Sequence, residues 1–263
     1  MSTSMVSTDS HVIEPPDLYA PLAAAWGDRA PVVRRGDDGN DWWWVDGQRT
    51  NSFAGGSQAG KRFEDPGALV LADVMDNVRE DVWTPGRYVT DNLGDGVCAS
   101  VLYPTQQLQH YAVRNSPLVS ATCRTYNDWV AEWCSVAPDR LKAVGALPLQ
   151  DPGAAADEAR RIREQGLVGT FVRPNAYNGV TFHDPAYTPV WEALEETGLA
   201  LGLHITGTAD MPGAARGMGG LMAPGTHHAL IPVIDQMVTL SNLTYGGVLE
   251  RHPGLKVAVL ESG

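Results

Sequence analysis

No run of about 18 consecutive apolar residues occurs in this 263-residue chain, which argues against a membrane-spanning helix. The opening segment MSTSMVSTDSHV lacks a basic stretch leading into an apolar one, so it does not read as a secretory signal. Cysteine is scarce. Cys98, Cys123 and Cys134 are odd in number and lack metal-type spacing, which argues against a disulfide framework and predicts reduced packing residues in a cytoplasmic protein. Positive charge is short as well: 19 Lys and Arg against 31 Asp and Glu leave a net charge of −12, and the basic residues form no stripe. Such a surface repels phosphate backbones, so nucleic acid is excluded as an expected partner and a small molecule is favoured. Nucleophile elbows, P-loops and a strand-embedded GxGxxG are all missing.

What is present is an ordinary globular composition, 43% hydrophobic and 19% charged, with enough length to bury a sizeable core. From about residue 95 short β-branched runs alternate with helical segments. Val97 to Tyr103, Leu141 to Leu147, Leu167 to Val172, Leu199 to Ile205 and Leu255 to Leu260 read as strands. Pro117 to Val136, Ala154 to Glu164, Ala186 to Thr197 and His228 to Arg251 read as helices, with Gly166 and Gly198 as stop signals and Pro232 and Gly246-Gly247 as interruptions of the last. Met5 to His11 is a further strand. Strands separated by helical crossovers predict an α/β fold with a parallel sheet, either a barrel or a doubly wound sheet.

Residues 30 to 95 break this rhythm. Pro31 to Arg35 and Asp41 to Val45 flank GDDGN, a hairpin signal, whereas Trp42-Trp43-Trp44 alternates too little for a two-faced strand. Gly55, Gly56 and Gly60 suggest a loop beyond. The segment reads as an insertion after the first strand, either capping a pocket or packing on itself without a catalytic role.

The candidate chemistry sits at strand exits. Asp9 and His11 are two apart on a strand and so point to one side. They form half of a divalent-metal site, or else a turn cap beside a buried histidine. Glu14, past the strand end, is a supporting group or a further ligand. His204 closes LALGLHI at the equivalent position, and in parallel barrels strand-end side chains converge on one face. Asp9, His11 and His204 together offer mixed N and O ligands suited to Zn²⁺ or Mn²⁺. Glu261 follows LKVAVL and is read as a proton-transfer group or as a solvent-facing strand end. Arg173 ends LVGTFVR; its guanidinium fork suits a substrate carboxylate, or an ordinary salt bridge. His227 and His228 mark a helix start near the pocket mouth. His183 reads as a helix-entry residue, and His110 and His252 as surface or packing positions.

DSHVIEPPDLY, VLYPT, NDWVAEWCSVAPDRLKAVGALPLQDP, VGTFVRPN, GLHITG and GGVLERHPGLKVAVLESG, in this order, resemble the amidohydrolase-related family that contains aminocarboxymuconate-semialdehyde and γ-resorcylate decarboxylases. The resemblance implies a distorted (β/α)₈ barrel holding one Zn²⁺ or Mn²⁺, with Asp9 and His11 as the first-strand ligands and His204 as the fifth-strand ligand. It implies non-oxidative loss of CO₂ from an aromatic or unsaturated acid, or hydrolysis of a lactone, ester or amide. Two departures stand out. Glu261 replaces a histidine that assists proton transfer in the decarboxylases, and the chain stops at Gly263, short of the aspartate that is the family's last ligand. The expectation is therefore a barrel of about six of its eight strands: a fragment, a truncated and catalytically silent product, or a barrel completed by another chain, with a homodimer as one form of association.

Overall fold

The computed structural model describes residues 4–52, 72–174, 177–205 and 226–262, with side chains throughout except at 80 and 226–232. In chain order the elements are β1 (Met5–Val12), α1 (Ala23–Trp26), β2 (Val32–Arg35), β3 (Asp41–Val45), β4 (Gln48–Ser52), α2 (Pro85–Gly94), β5 (Val97–Pro104), α3 (Gln107–His110), α4 (Ser116–Cys134), β6 (Leu141–Ala146), α5 (Pro152–Glu164), β7 (Gly169–Val172), α6 (Thr188–Thr197), β8 (Ala200–Leu203), α7 (Thr226–Tyr245), α8 (Val248–Arg251) and β9 (Lys256–Val259). Six strands form one sheet in the order β1-β5-β6-β7-β8-β9, every pair parallel. The expected strand and helix rhythm is thus present as successive right-order crossovers of a (β/α)-barrel type.

Local chemistry explains the elements. Asn115 accepts from Leu118 N to start α4, with a proline in its first turn, and buries Leu118, Thr122, Tyr126, Val130 and Trp133 along one face. Asp151 caps α5 in the same way, and Gly166 beyond it takes φ +81°. The face of α5 that meets the sheet is small, and Ile162 fills the groove over Gly145. A Cβ at Gly145 would lie 2.5 Å from Ile162 Cδ1, so only glycine lets this helix approach so closely. Each such fully buried Ile or Leu stabilises the fold by about 2 kcal/mol through removal from water. The last helical stretch runs unbroken from Thr226 to Tyr245 through Pro232, and the interruption falls at Gly246-Gly247 alone.

β2, β3 and β4 form a separate antiparallel sheet. Its second turn, unforeseen in the sequence, is Asp46-Gly47, both at positive φ (51° and 75°), the conformation that an Asp-Gly pair in a two-residue hairpin favours. The tryptophan run proves to alternate after all. Asp41, Trp43 and Val45 are buried, while Trp42 and Trp44 are half-buried. Trp42 is tolerated outside because Arg49 lies 4.3 Å over its ring and Asp38 accepts from its Nε1. Trp43 packs edge-on against Tyr19. The loop expected at Gly55, Gly56 and Gly60 lies outside the described residues.

Candidate metal centre

Asp9, His11 and His204 meet where β1 and β8 end. Each offers a ligand atom, all within 4.8 Å of one another, the one such cluster among the described residues. The backbone of His204 continues the β7–β8 ladder by donating to Val172 O. The β1 side depends on an irregularity that the alternation pattern alone does not show. Ser7 pairs with Ser100 but Ser10 pairs with Leu102, so β1 carries one extra residue beside Asp9, and Ser7 and Ser10 hydrogen-bond across the bulge at 2.6 Å. Bulges re-aim side chains in this way beside functional sites.

The hydrogen bonds decide what the trio can hold. His11 Nδ1 lies 2.8 Å from Pro104 O, and His204 Nδ1 2.7 Å from Ile205 O. A carbonyl only accepts, so both Nδ1 atoms carry hydrogen and, in neutral rings, both Nε2 atoms present bare lone pairs. Those lone pairs face Asp9 Oδ1 at 3.9 Å from His11 and 3.5 Å from His204. Asp9 Oδ1 and His204 Nε2 are buried without a hydrogen-bond partner. Three electron-rich atoms therefore converge, with no cationic side chain among the described residues between them. Bond lengths of about 2.0–2.2 Å to one ion separate neighbouring ligand atoms by about 3 to 3.6 Å. The His204–Asp9 separation already lies in that range and the His11–Asp9 one a few tenths of an ångström beyond it, so the residues fit a divalent metal with a small closure. Imidazoles whose second nitrogen is anchored to a carbonyl are the usual arrangement around such ions. Without a metal, a proton on His204 Nε2 would take the cation's place: a hydrogen bond from it to Asp9 holds the Asp9 carboxyl below the usual carboxylate range, against burial, which pushes it up. Burial lowers the His11 imidazole, helped by His204 and opposed by the Pro104 hydrogen bond and by the charges of Asp9 and Glu261.

Around the trio, Tyr103 is a residue that sequence reasoning missed. Its ring lies 5.2 Å from that of His204 and 6.3 Å from that of His11, and burial pushes its hydroxyl up to about 12, with Asp9 adding to the rise. The available signal was its place at the end of the strand VCASVLY, while its register opposite His11 shows only in the sheet. Gly202, two residues before His204, leaves room for it: a Cβ there would stand 3.4 Å from the Tyr103 hydroxyl and 3.0 Å from Thr170 O.

Arg173 is buried at the exit of β7, its guanidinium 5.1 Å from the ring centre of Tyr177, whose hydroxyl accepts from Arg173 N and donates to Arg173 O. Glu261 is exposed past β9 at φ +50°, close enough for its charge to act on His11. Glu14 is not part of the trio. It is buried and receives the N–H groups of Thr105, Gln106 and Gln107. His110 is fully buried, His252 pairs with Glu195 at 2.9 Å, and His183 is exposed at the entry to a short turn. The side chains of His227 and His228 lie outside the described residues.

Comparison with known proteins agrees with this architecture. A γ-resorcylate decarboxylase of Rhodococcus jostii (strain RHA1) is 31% identical over 150 residues, 53% of this chain and 44% of that protein. The matched stretch spans 27% to 48% of the length of the curated relatives found. Among solved structures, an amidohydrolase of Mycobacterium avium subsp. paratuberculosis K-10 superposes with a TM-score of 0.80 at 19% identity, over all of this chain and 74% of the other. A dihydroxybenzoic acid decarboxylase of Polaromonas sp. JS666, solved with manganese and the inhibitor 2-nitroresorcinol, gives 0.61 at 20% identity, over 98% and 65%. These likenesses establish the fold as the greater part of a (β/α) barrel. The family model described as amidohydrolase matches residues 28–263, beginning after the strand that carries Asp9 and His11. On that match, the chain belongs to the amidohydrolase family.

Proposed function

We propose that Asp9, His11 and His204 hold one divalent cation, Mn²⁺ or Zn²⁺, in an enzyme that decarboxylates an aromatic or unsaturated carboxylic acid without redox chemistry. The observation that carries the metal is the convergence of two anchored imidazole lone pairs on a buried carboxylate oxygen. The manganese in the Polaromonas enzyme and the activity of the Rhodococcus relative support the choice of ion and reaction. A bound ion would supply a Lewis acid for substrate oxygens.

The remaining roles belong to the chain. Arg173, braced through Tyr177, would orient the substrate carboxylate. Glu261, exposed past β9 and near enough for its charge to act on His11, would deliver a proton to the ring carbon that bears the carboxylate. The carbon–carbon bond would then break, its electron pair returning to the ring as CO₂ leaves. Thr50 of β4 accepts from Gln106 Nε2 at 3.3 Å, which places the small sheet beside the β5 exit and supports a capping role for residues 30 to 95. Glu261, a carboxylate in place of the expected histidine, favours hydrolysis of a lactone, ester or amide as the second reading, since a carboxylate also serves as a base.

Elemental analysis of the purified chain should find near-stoichiometric manganese or zinc, lost in Asp9→Ala and in His204→Ala. Equal metal in wild type and variants would overturn the assignment. Turnover of hydroxybenzoates but not lactones would support decarboxylation, and the reverse pattern would replace it with hydrolysis. A rate unchanged in Glu261→Gln would remove the proton role.

A further inference from the structure

Glu14 is the most heavily engaged carboxylate among the described residues, and the metal trio does not account for it. It leaves β1 three residues after His11 and turns into the protein, where its oxygens receive three successive backbone N–H groups from the chain leaving β5. Oε2 accepts from Thr105 at 3.1 Å and from Gln106 at 2.9 Å, and Oε1 accepts from Gln106 at 3.0 Å and from Gln107 at 2.8 Å. A second tie runs beside it, from Thr105 Oγ1 to Val12 O at 2.8 Å. The residue immediately before this clamped stretch is Pro104, whose carbonyl receives His11 Nδ1–H. The Pro104 carbonyl lies in the same rigid peptide plane as the Thr105 N–H, so the bond that Glu14 accepts from Thr105 fixes the direction of that carbonyl.

We propose that Glu14 is a positioning residue for His11: by clamping Thr105 to Gln107 it aims the Pro104 carbonyl, which keeps hydrogen on His11 Nδ1 and leaves Nε2 free to face Asp9 and His204. The effect is indirect, since Glu14 touches no ligand atom. It passes through one backbone carbonyl and one ring rotation. Without the carboxylate, three buried donors lose their acceptor and the loop must turn to find others, taking Pro104 O with it. Outer partners that fix a ligating imidazole matter to metal affinity by about 10- to 100-fold.

This inference rests on the metal reading, and the experiment separates the two. In Glu14→Gln, an isosteric change that sets an NH₂ against one of the donors, zinc affinity measured by competition with a chromophoric chelator should fall by about 10- to 100-fold. In the zinc-free protein, long-range ¹⁵N–¹H spectra should show His11 moving from a single Nδ1–H tautomer to a mixture. Ile162→Val, which loosens the core under α5 far from this loop, should lower stability while leaving both readouts at wild-type values. An unchanged His11 tautomer in Glu14→Gln overturns the proposal whether or not zinc binds. Absence of zinc binding in wild type would instead overturn the metal reading.

A measurement on the unmodified chain covers the case of a variant that does not fold. Coupling between sites is reciprocal, so zinc should slow amide exchange at Gln106 and Gln107 by about fivefold or more. No change there, with zinc bound, would also overturn the proposal.

Discussion

Two carboxylates five residues apart on the same chain segment meet opposite surroundings. Glu14 is enclosed by donors: burial pushes its carboxyl up, and the three N–H groups that reach its oxygens work against that rise. Asp9 faces acceptors, two imidazole nitrogens whose hydrogens point the other way. A carboxylate among donors has its hydrogen bonds supplied by the fold, whereas a carboxylate oxygen facing two lone pairs is completed by a cation or a proton set between them. The contrast separates a group that holds the structure from a group that holds something else, with no appeal to which residue type is usual in either role.

Acid breaks the comparison most severely, because it reaches imidazoles on both sides. His110, under the Glu14 clamp, is held down to about 3 by burial, and His11 is lowered too. A folded-state pKa below the unfolded one means that the unfolded chain binds more protons, so the stability is complete above pH 6.5 and is lost as the pH falls from there toward 3. For His110 the loss should be on the order of 4 kcal/mol, and urea titrations across that range should be flatter in His110→Gln. Next in size, Asp9→Asn should weaken zinc binding by more than about 100-fold. Yet it should leave the metal-free melting temperature equal or raised, because the new amide donates to a lone pair now unanswered.

Glu14→Gln should show the reverse, a metal-free loss of about 2 kcal/mol in urea unfolding. If the two variants instead destabilise alike, the distinction between the two carboxylates falls. The finest test is Thr105→Val, which removes the neutral tie to Val12 O and should cost about 1 kcal/mol, less than the charged clamp beside it.

Strands β5 to β8 were legible in the sequence because each is a short apolar run followed by a helix with its own cap or glycine stop, and those signals are local. Asp9, His11 and His204 were legible as candidates from local signals too: the first two share a side of β1 near its end, and the third directly follows β8. The bulge beside Asp9 was not, since it exists only in the register with β5, and register has no local signature. Glu14 stood in plain view but its role did not, because its partners are backbone N–H groups some ninety positions away. The third strand of the small sheet had a readable Asp-Gly turn that the polar run QRTNS obscured. Trp42 hid the alternation of its neighbours, since an indole can be covered by an arginine stem as well as by a core.

The parallel order of the sheet has a consequence in time. Among the described residues Met5 pairs with Val97 and no earlier strand, and His204 lies about two hundred residues downstream of Asp9. At ribosomal speeds of about 5 to 20 residues per second, the first two ligands would emerge some 10 to 40 seconds before the third. For the first part of that interval the strand is unpaired, then β5 joins it, and an acid and an imidazole alone would hold a metal only weakly. Firm capture would await β8, making ion loading a late event in the life of each nascent chain.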